Sequence, residues 1–198
     1  ADLAPAATQN ATPPASPESR NDGRELLSQY RSEKNAILRR EQLRKWAAED
    51  HPQLPAVADI AVGDTDPTVI IQAMEIIGKL KRRASAPLLL KTLEANRRRP
   101  DGYGPSICES VVRALGLCGD PSAVPVLIGE LTNPHDLSYH NEVVRALGRI
   151  GDPSAADVGD RHMASLESRR PTEPIAMGPW REAMSIAGEA RERLRKAR

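Results

Sequence analysis

The stretch VVRALGLCGDPSAVPVL occupies residues 111–127, and 32 residues after its start the chain writes VVRALGRIGDPSA over residues 143–155. Ile107, Val111, Ala114, Leu115 and Cys118 fall at helical spacing and predict one apolar stripe, the first helix of a pair. Gly119 suits the left-handed position that stops a helix without a Cβ penalty. Asp120 can cap the amides that follow, and Pro121 fits a first turn, where its missing N–H costs nothing. Val124, Leu127, Ile128 and Leu131 repeat the spacing and predict the second helix. Pro125 is too deep for a helix capped by Asp120, so DPSA forms a short turn before the helix resets. Asp120 and Asp152 are expected to cap the second helix of their pairs.

The same grammar extends upstream. In DPTVIIQAMEIIGKLKRRASAPLLLKTL, which starts at Asp66, Gly78 aligns with Gly116 and Pro87 with Pro125. Leu89, Leu90 and Leu93 then align with Leu127, Ile128 and Leu131. Further upstream QLPAVADIA aligns Pro55 with Pro87 and offers Leu54, Val57, Ala58 and Ala61 as an inner face. Two helices per period of 32 to 38 residues predict an all-α fold, an α-solenoid of about four helix pairs. A lone pair could not cover its own apolar stripe, so each must bury it against its neighbours. The organisation expected is an extended Pro/Ala-rich segment at 1–20, an N-terminal capping helix region at 21–50, repeats at 51–168, and a linker with a C-terminal capping helix at 169–198. The first cap reads as one long or broken amphipathic helix carrying Leu26, Leu27, Tyr30, Ile37, Leu38, Leu43 and Trp46. The closing helix offers Met184, Ile186, Ala187, Ala190 and Leu194 for docking.

DPTV at Asp66, ALG at Ala114, GDPSA at Gly119 and AVPVL at Ala123 resemble the HEAT-like repeats named after phycobilisome lyases, within the HEAT superfamily. The resemblance covers about residues 52–166 and implies the fold. It spans lyase subunits, scaffolds and adaptors, so a bilin-lyase-type subunit is one alternative it brings. The chain departs from the pattern in three places. Lys81, Arg82 and Arg83 replace a Gly-Asp-Pro corner; Asp157, Gly159 and Asp160 stand where Pro125, Leu127 and Ile128 stood; and residues 97–106 lengthen one loop. The last repeat helix is therefore expected to face water or a partner, and the long loop to project from one edge.

Composition bounds the chemistry. The 198 residues are 39% apolar and 28% charged, with no Phe, two Trp and three Tyr, so small aliphatics must fill the core. A net charge of +1 gives no global field toward nucleic acid or an anionic membrane, and no apolar run is long enough for a membrane span. Cys108 and Cys118, about 15 Å apart along one helix, are beyond disulfide reach and are expected as buried thiols. The opening ADLAPAATQNATPPASPESR reads as the start of an exported protein after signal removal in preference to a trimmed cytosolic one, and as an extended segment able to dock on a partner.

No catalytic constellation, phosphate loop or cofactor motif has convincing spacing. His135, Asp136 and His140 lie near one another in NPHDLSYHN, but the spacing does not stack on a helix face, so loop and cap roles are expected. His51 and His162 are isolated. Basic clusters occur at Arg39, Arg40, Arg44 and Lys45, at 81–83, at 97–99 and at Arg169 with Arg170. They fall on different edges, with few aromatics for stacking, which disfavours nucleic acid. The expected function is a non-catalytic protein-binding scaffold or accessory subunit whose partners are other proteins, with Arg82, Arg83, Arg97, Arg98, Arg99 and Tyr103 as the partner-binding residues. Glu75, Arg113 and Arg145 occupy equivalent positions in successive first helices and should form a row, with Glu75 reaching Arg113.

Overall fold

The structure, a computed structural model, describes residues 17–133 and 136–197, with side chains from Glu25 onward. Among the described residues there are ten α-helices, four 3-10 turns and no strand. The helices are α1 (Pro17–Ser32), α2 (Ala36–Ala48), α3 (Leu54–Ala61), α4 (Pro67–Leu80), α5 (Ala86–Asn96), α6 (Gly104–Cys118), α7 (Val124–Glu130), α8 (Leu137–Ile150), α9 (Ala156–Ser168) and α10 (Met177–Lys196). Residues 1–16, most of the segment read as extended, lie outside the described residues, as do positions 134 and 135, and with them His135.

Each corner follows from a few residues. Gly119 and Gly151 end α6 and α8 at φ 68° and 70°, where a side chain would be strained. At the equivalent place after α4, Lys81 takes φ 51° with its Cβ present, a strain of about 1–2 kcal/mol. Asp120 and Asp152 then accept the Ser122 and Ser154 amides, each at 2.8 Å. Those bonds cap the three-residue 3-10 turns Pro121–Ala123 and Pro153–Ala155. The helices α7 and α9 start only afterwards, from Ala123 and Ala155, without a side-chain cap. The turn is also why Pro125 is tolerated: counted from Ala123 it lies in the first turn of α7, where no intrahelical N–H is needed.

Helices α4, α6, α8 and α10 pack on one another in succession, and α3, α5, α7 and α9 lie against α4, α6, α8 and α10 respectively. The succession is set by small residues. A Cβ on Gly116 would stand 2.7 Å from the Cα of Ala146, and one on Gly148 would stand 2.8 Å from the Cα of Ala190. A Cβ on Gly78 would meet Leu117 Cδ1 at 2.9 Å and the Cα of Ala114 at 3.4 Å. In each pair the glycine of one helix receives an alanine of the next, and that alanine precedes its own helix's glycine by two residues in α6 and α8. The alanine position in α4 is held by Ile76, so α2 cannot approach as closely.

At the N-terminal end the first cap takes the broken one of its two expected forms, and two other expectations about the ends change. The N-terminal helix is broken, because the Asn35 side chain accepts the Ile37 amide and starts α2 afresh. Leu26, Tyr30, Leu43 and Trp46 are buried, but Ile37 and Leu38 are 62% and 49% exposed. The last repeat helix, α9, does not face water at Gly159: a Cβ there would come within 2.9 Å of the Arg191 Cα, so the glycine admits α10. A three-way tie then holds the first helices: Tyr30 donates to Asp64 at 2.5 Å while the Arg39 guanidinium clasps both Asp64 oxygens at 2.8 and 2.7 Å. Burial works to raise the Asp64 carboxyl, but Arg39, the Asp66 amide and Tyr30 outweigh it and hold its pKa below the usual aspartate range.

Candidate functional site

The cationic residues expected to bind a partner divide into two sets. Arg82 reaches back to Asp59 at 2.9 Å, with Ser85 on the other oxygen at 3.0 Å, so it ties the α4–α5 corner to α3. Arg97 bridges Glu94 and the fully buried Glu130, which also accepts the Tyr139 hydroxyl at 2.8 Å. Arg99 folds onto Asp101 at 2.6 Å, Asn96 at 3.2 Å and the Thr65 carbonyl at 3.3 Å. The loop at 97–103 is therefore pinned down instead of projecting, since Glu94, Asn96, Glu130 and the Thr65 carbonyl, all outside it, hold Arg97 and Arg99. Arg83, Arg98 and Tyr103 stay exposed, Tyr103 at 47%. The six residues do not converge on one site.

A tighter assembly lies on the row of first helices. Glu142 sits in α8 where α6 has Ser110 and α4 has Gln72, and its side chain is only 3% exposed. Three guanidiniums meet it: Arg145 at 2.6 Å, Arg149 at 3.4 Å and, from α6, Arg113 at 3.5 Å. Arg113 also pairs with Glu109 at 2.7 Å. Glu75 hydrogen-bonds with Gln72 at 3.3 Å, so the expected reach from Glu75 to Arg113 is replaced by Arg113 turning toward its own helix and α8. Burial lowers the pKa of the Arg149 guanidinium against the pull of Glu142, and the fields of Arg145, Arg193 and Arg113 lower it further. Four arginines therefore share one small region of the surface.

The same face carries a groove where the small-residue rule fails. Between α2 and α4, beside Ile76, a space of about 690 Å³ opens with Ala47, Ile71 and Ile76 on its apolar side. Arg40, Arg44, Glu75 and Lys79 supply its charged rim. Glu75 and Lys79 are the α4 counterparts of Arg145 and Arg149, so groove and arginine cluster occupy equivalent strips of the row.

Other titratable groups stay inside the fold. Burial pushes both thiols, Cys108 and Cys118, up to about 11. His140 shares a hydrogen bond with the Asn133 carbonyl at 3.1 Å. Among the described residues no three His, Cys, Asp or Glu side chains gather as a metal site, and no helix is long and apolar enough to cross a membrane. Glu142, Arg149 and Arg193 were missed by sequence reasoning. The available signal was a glutamate at a seam position occupied by small or neutral residues in the two preceding repeats. No protein-family model matches this chain, and no curated protein is significantly similar to it.

Proposed function

We propose that the chain is a HEAT-like α-solenoid of four helix pairs, α2/α3, α4/α5, α6/α7 and α8/α9, capped by α1 and α10, that works as a non-catalytic protein-binding scaffold or accessory subunit. The observation that carries this reading is the recurring seam: Gly78, Gly116 and Gly148 each receive the following helix at the same register, which lays helix faces side by side in one continuous strip. Such a strip offers area and fixed spacing to a partner, and its polar groups are engaged with one another and not arranged around a reacting centre. A bilin-lyase role gains no support from any side chain described above. A nucleic-acid role is opposed by Glu75, Glu109 and Glu189, which interrupt the cations on the strip.

Affinity capture from the native source, with crosslinking, tests the proposal. A stoichiometric partner crosslinked to α4, α6 or α8 is the expected result. A chain that elutes alone at native abundance would overturn the scaffold reading.

A further inference from the structure

Glu142 holds three arginines but satisfies little of them. A guanidinium carries five N–H donors in a planar fork, and Glu142 takes one contact from each of Arg113, Arg145 and Arg149. Among the described residues Arg145 and Arg149 have no other carboxylate partner. Their side chains are 35% and 30% exposed, so donors remain open to solvent while the buried acid keeps the forks in place. That arrangement has already given up part of the side-chain freedom a ligand would otherwise have to take away.

We propose that Arg145 and Arg149, assisted by Arg113, form a binding site for paired carboxylates on an acidic segment of a partner protein; this rests on the scaffold reading and names the chemistry of its partner. Fork-shaped donors match carboxylates in bidentate geometry, and among the described residues this is where three guanidiniums meet on one buried acid. The equivalent positions along the strip read Glu75, Arg113, Arg145 and, from the seam of Ala190 with Gly148, Glu189. With neighbouring helices about 10 Å apart, this position is cationic over two helices with a glutamate on either side; one turn on, at the position of Arg149, the strip reads Lys79, Leu117, Arg149 and Arg193. A short acidic motif fits across Arg113, Arg145 and Arg149, whereas a longer phosphate backbone would run beside Glu75 or Glu189. The like-charge crowding around Arg149, set by Arg145, Arg193 and Arg113, is relieved by an incoming anion. Glu109 and Glu189, which face Arg113 and Arg193, lie to the sides and set where the segment must stop.

The test uses the full chain and fluorescence anisotropy at low ionic strength, with a labelled Glu-rich peptide, its Glu→Gln counterpart, and a labelled oligothymidine of the same net charge. The expected result is that the Glu-rich peptide binds in preference to both others, and that the double variant Arg145→Gln/Arg149→Gln weakens it by about 10-fold or more. The matched double variant Arg31→Gln/Arg161→Gln, which removes the same charge from exposed sites elsewhere, should leave it unchanged. Equal weakening by the two double variants, tighter binding of the oligothymidine, or no peptide binding to the unaltered chain would each overturn the proposal. If the Gln variant does not fold, Arg145→Lys/Arg149→Lys keeps the charge on Glu142 and removes the forks; unchanged peptide affinity in that variant also overturns it. A native partner captured by the unaltered chain, together with a failed peptide experiment, discards this site and leaves the scaffold reading standing.

Discussion

Replacing Gly116 with alanine asks whether the helices meet where their small residues say they do. The added methyl would stand 2.7 Å from the Ala146 Cα and 2.8 Å from its Cβ. Unstrained carbon contacts need about 3.5–4.0 Å, so α6 and α8 would have to part by nearly an ångström. Neither contacting atom can swing aside, because both belong to helix backbone or its first carbon. Overpacking of this kind costs about 3 kcal/mol at the upper end of its usual range. Alanine recovers about 1 kcal/mol through its better helix propensity, leaving a net loss of about 2 kcal/mol. For a chain of this length that lowers Tm by about 4–8 °C. The control is Gly188→Ala in α10, where the new methyl meets nothing within 4 Å. There only the propensity gain remains, so Tm should rise by about 2–4 °C. Thermal melting followed by circular dichroism reads both. The same chemical change is thus expected to act with opposite sign at two helix positions. If Gly116→Ala stabilises the chain as Gly188→Ala does, α6 and α8 are not in contact at that glycine and the seam argument fails.

Two further outcomes follow from buried charge. Arg97→Met removes a partner of the fully buried Glu130 and should destabilise the fold by about 3 kcal/mol, the low end for breaking a buried pair because the Tyr139 hydroxyl remains on the carboxylate; chemical denaturation measures it, and an unchanged midpoint would show that Arg97 is a free surface cation. His162 is pushed down to about 4, first by burial and then by the fields of His140 and Arg169. The unfolded chain therefore takes up the proton before the folded one, so stability is full above about pH 6.5 and falls as the pH drops toward 4. Melting temperature against pH should lose slope in that window in His162→Gln; an unaltered slope would assign the acid sensitivity to other groups.

The helical character of the chain was legible because its signals are local. Val111, Ala114, Leu115 and Cys118 describe a stripe through their own spacing, and Gly119 with Pro121 marks a corner without reference to anything distant. Even the conflict posed by Pro125 carried its own resolution, since a turn over residues 121–123 is the arrangement that lets that proline begin a helix. The partner-binding residues were less legible for a physical reason. A run such as Arg97, Arg98 and Arg99 shows where cations are, but whether each is free depends on acceptors brought in by other helices. Glu130 lies 33 residues from Arg97 and Thr65 lies 34 from Arg99. The arginine cluster was half visible: register placed Arg113 and Arg145 in one row, but Arg149 has a leucine counterpart in α6, and nothing local says that Glu142 is buried. Gly159 misled for the opposite reason, because loss of a leucine reads as exposure until a neighbouring backbone is seen to fill the space.

The glycine and alanine alternation is broken at α10. Two residues beyond the alanine that enters the preceding helix, α6 has Gly116 and α8 has Gly148; two residues beyond Ala190, α10 has Glu192. Its carboxylate is two-thirds exposed and paired with Lys196 at 2.6 Å. A helix arriving there would meet a hydrated ion pair in place of a bare backbone. That face of α10 is consequently a poor template for a second chain, and head-to-tail polymerisation into filaments, the hazard of any repeat whose successive units present matching surfaces, is opposed there by Glu192. Adding a helix to the row by protein engineering would have to begin by making that position glycine.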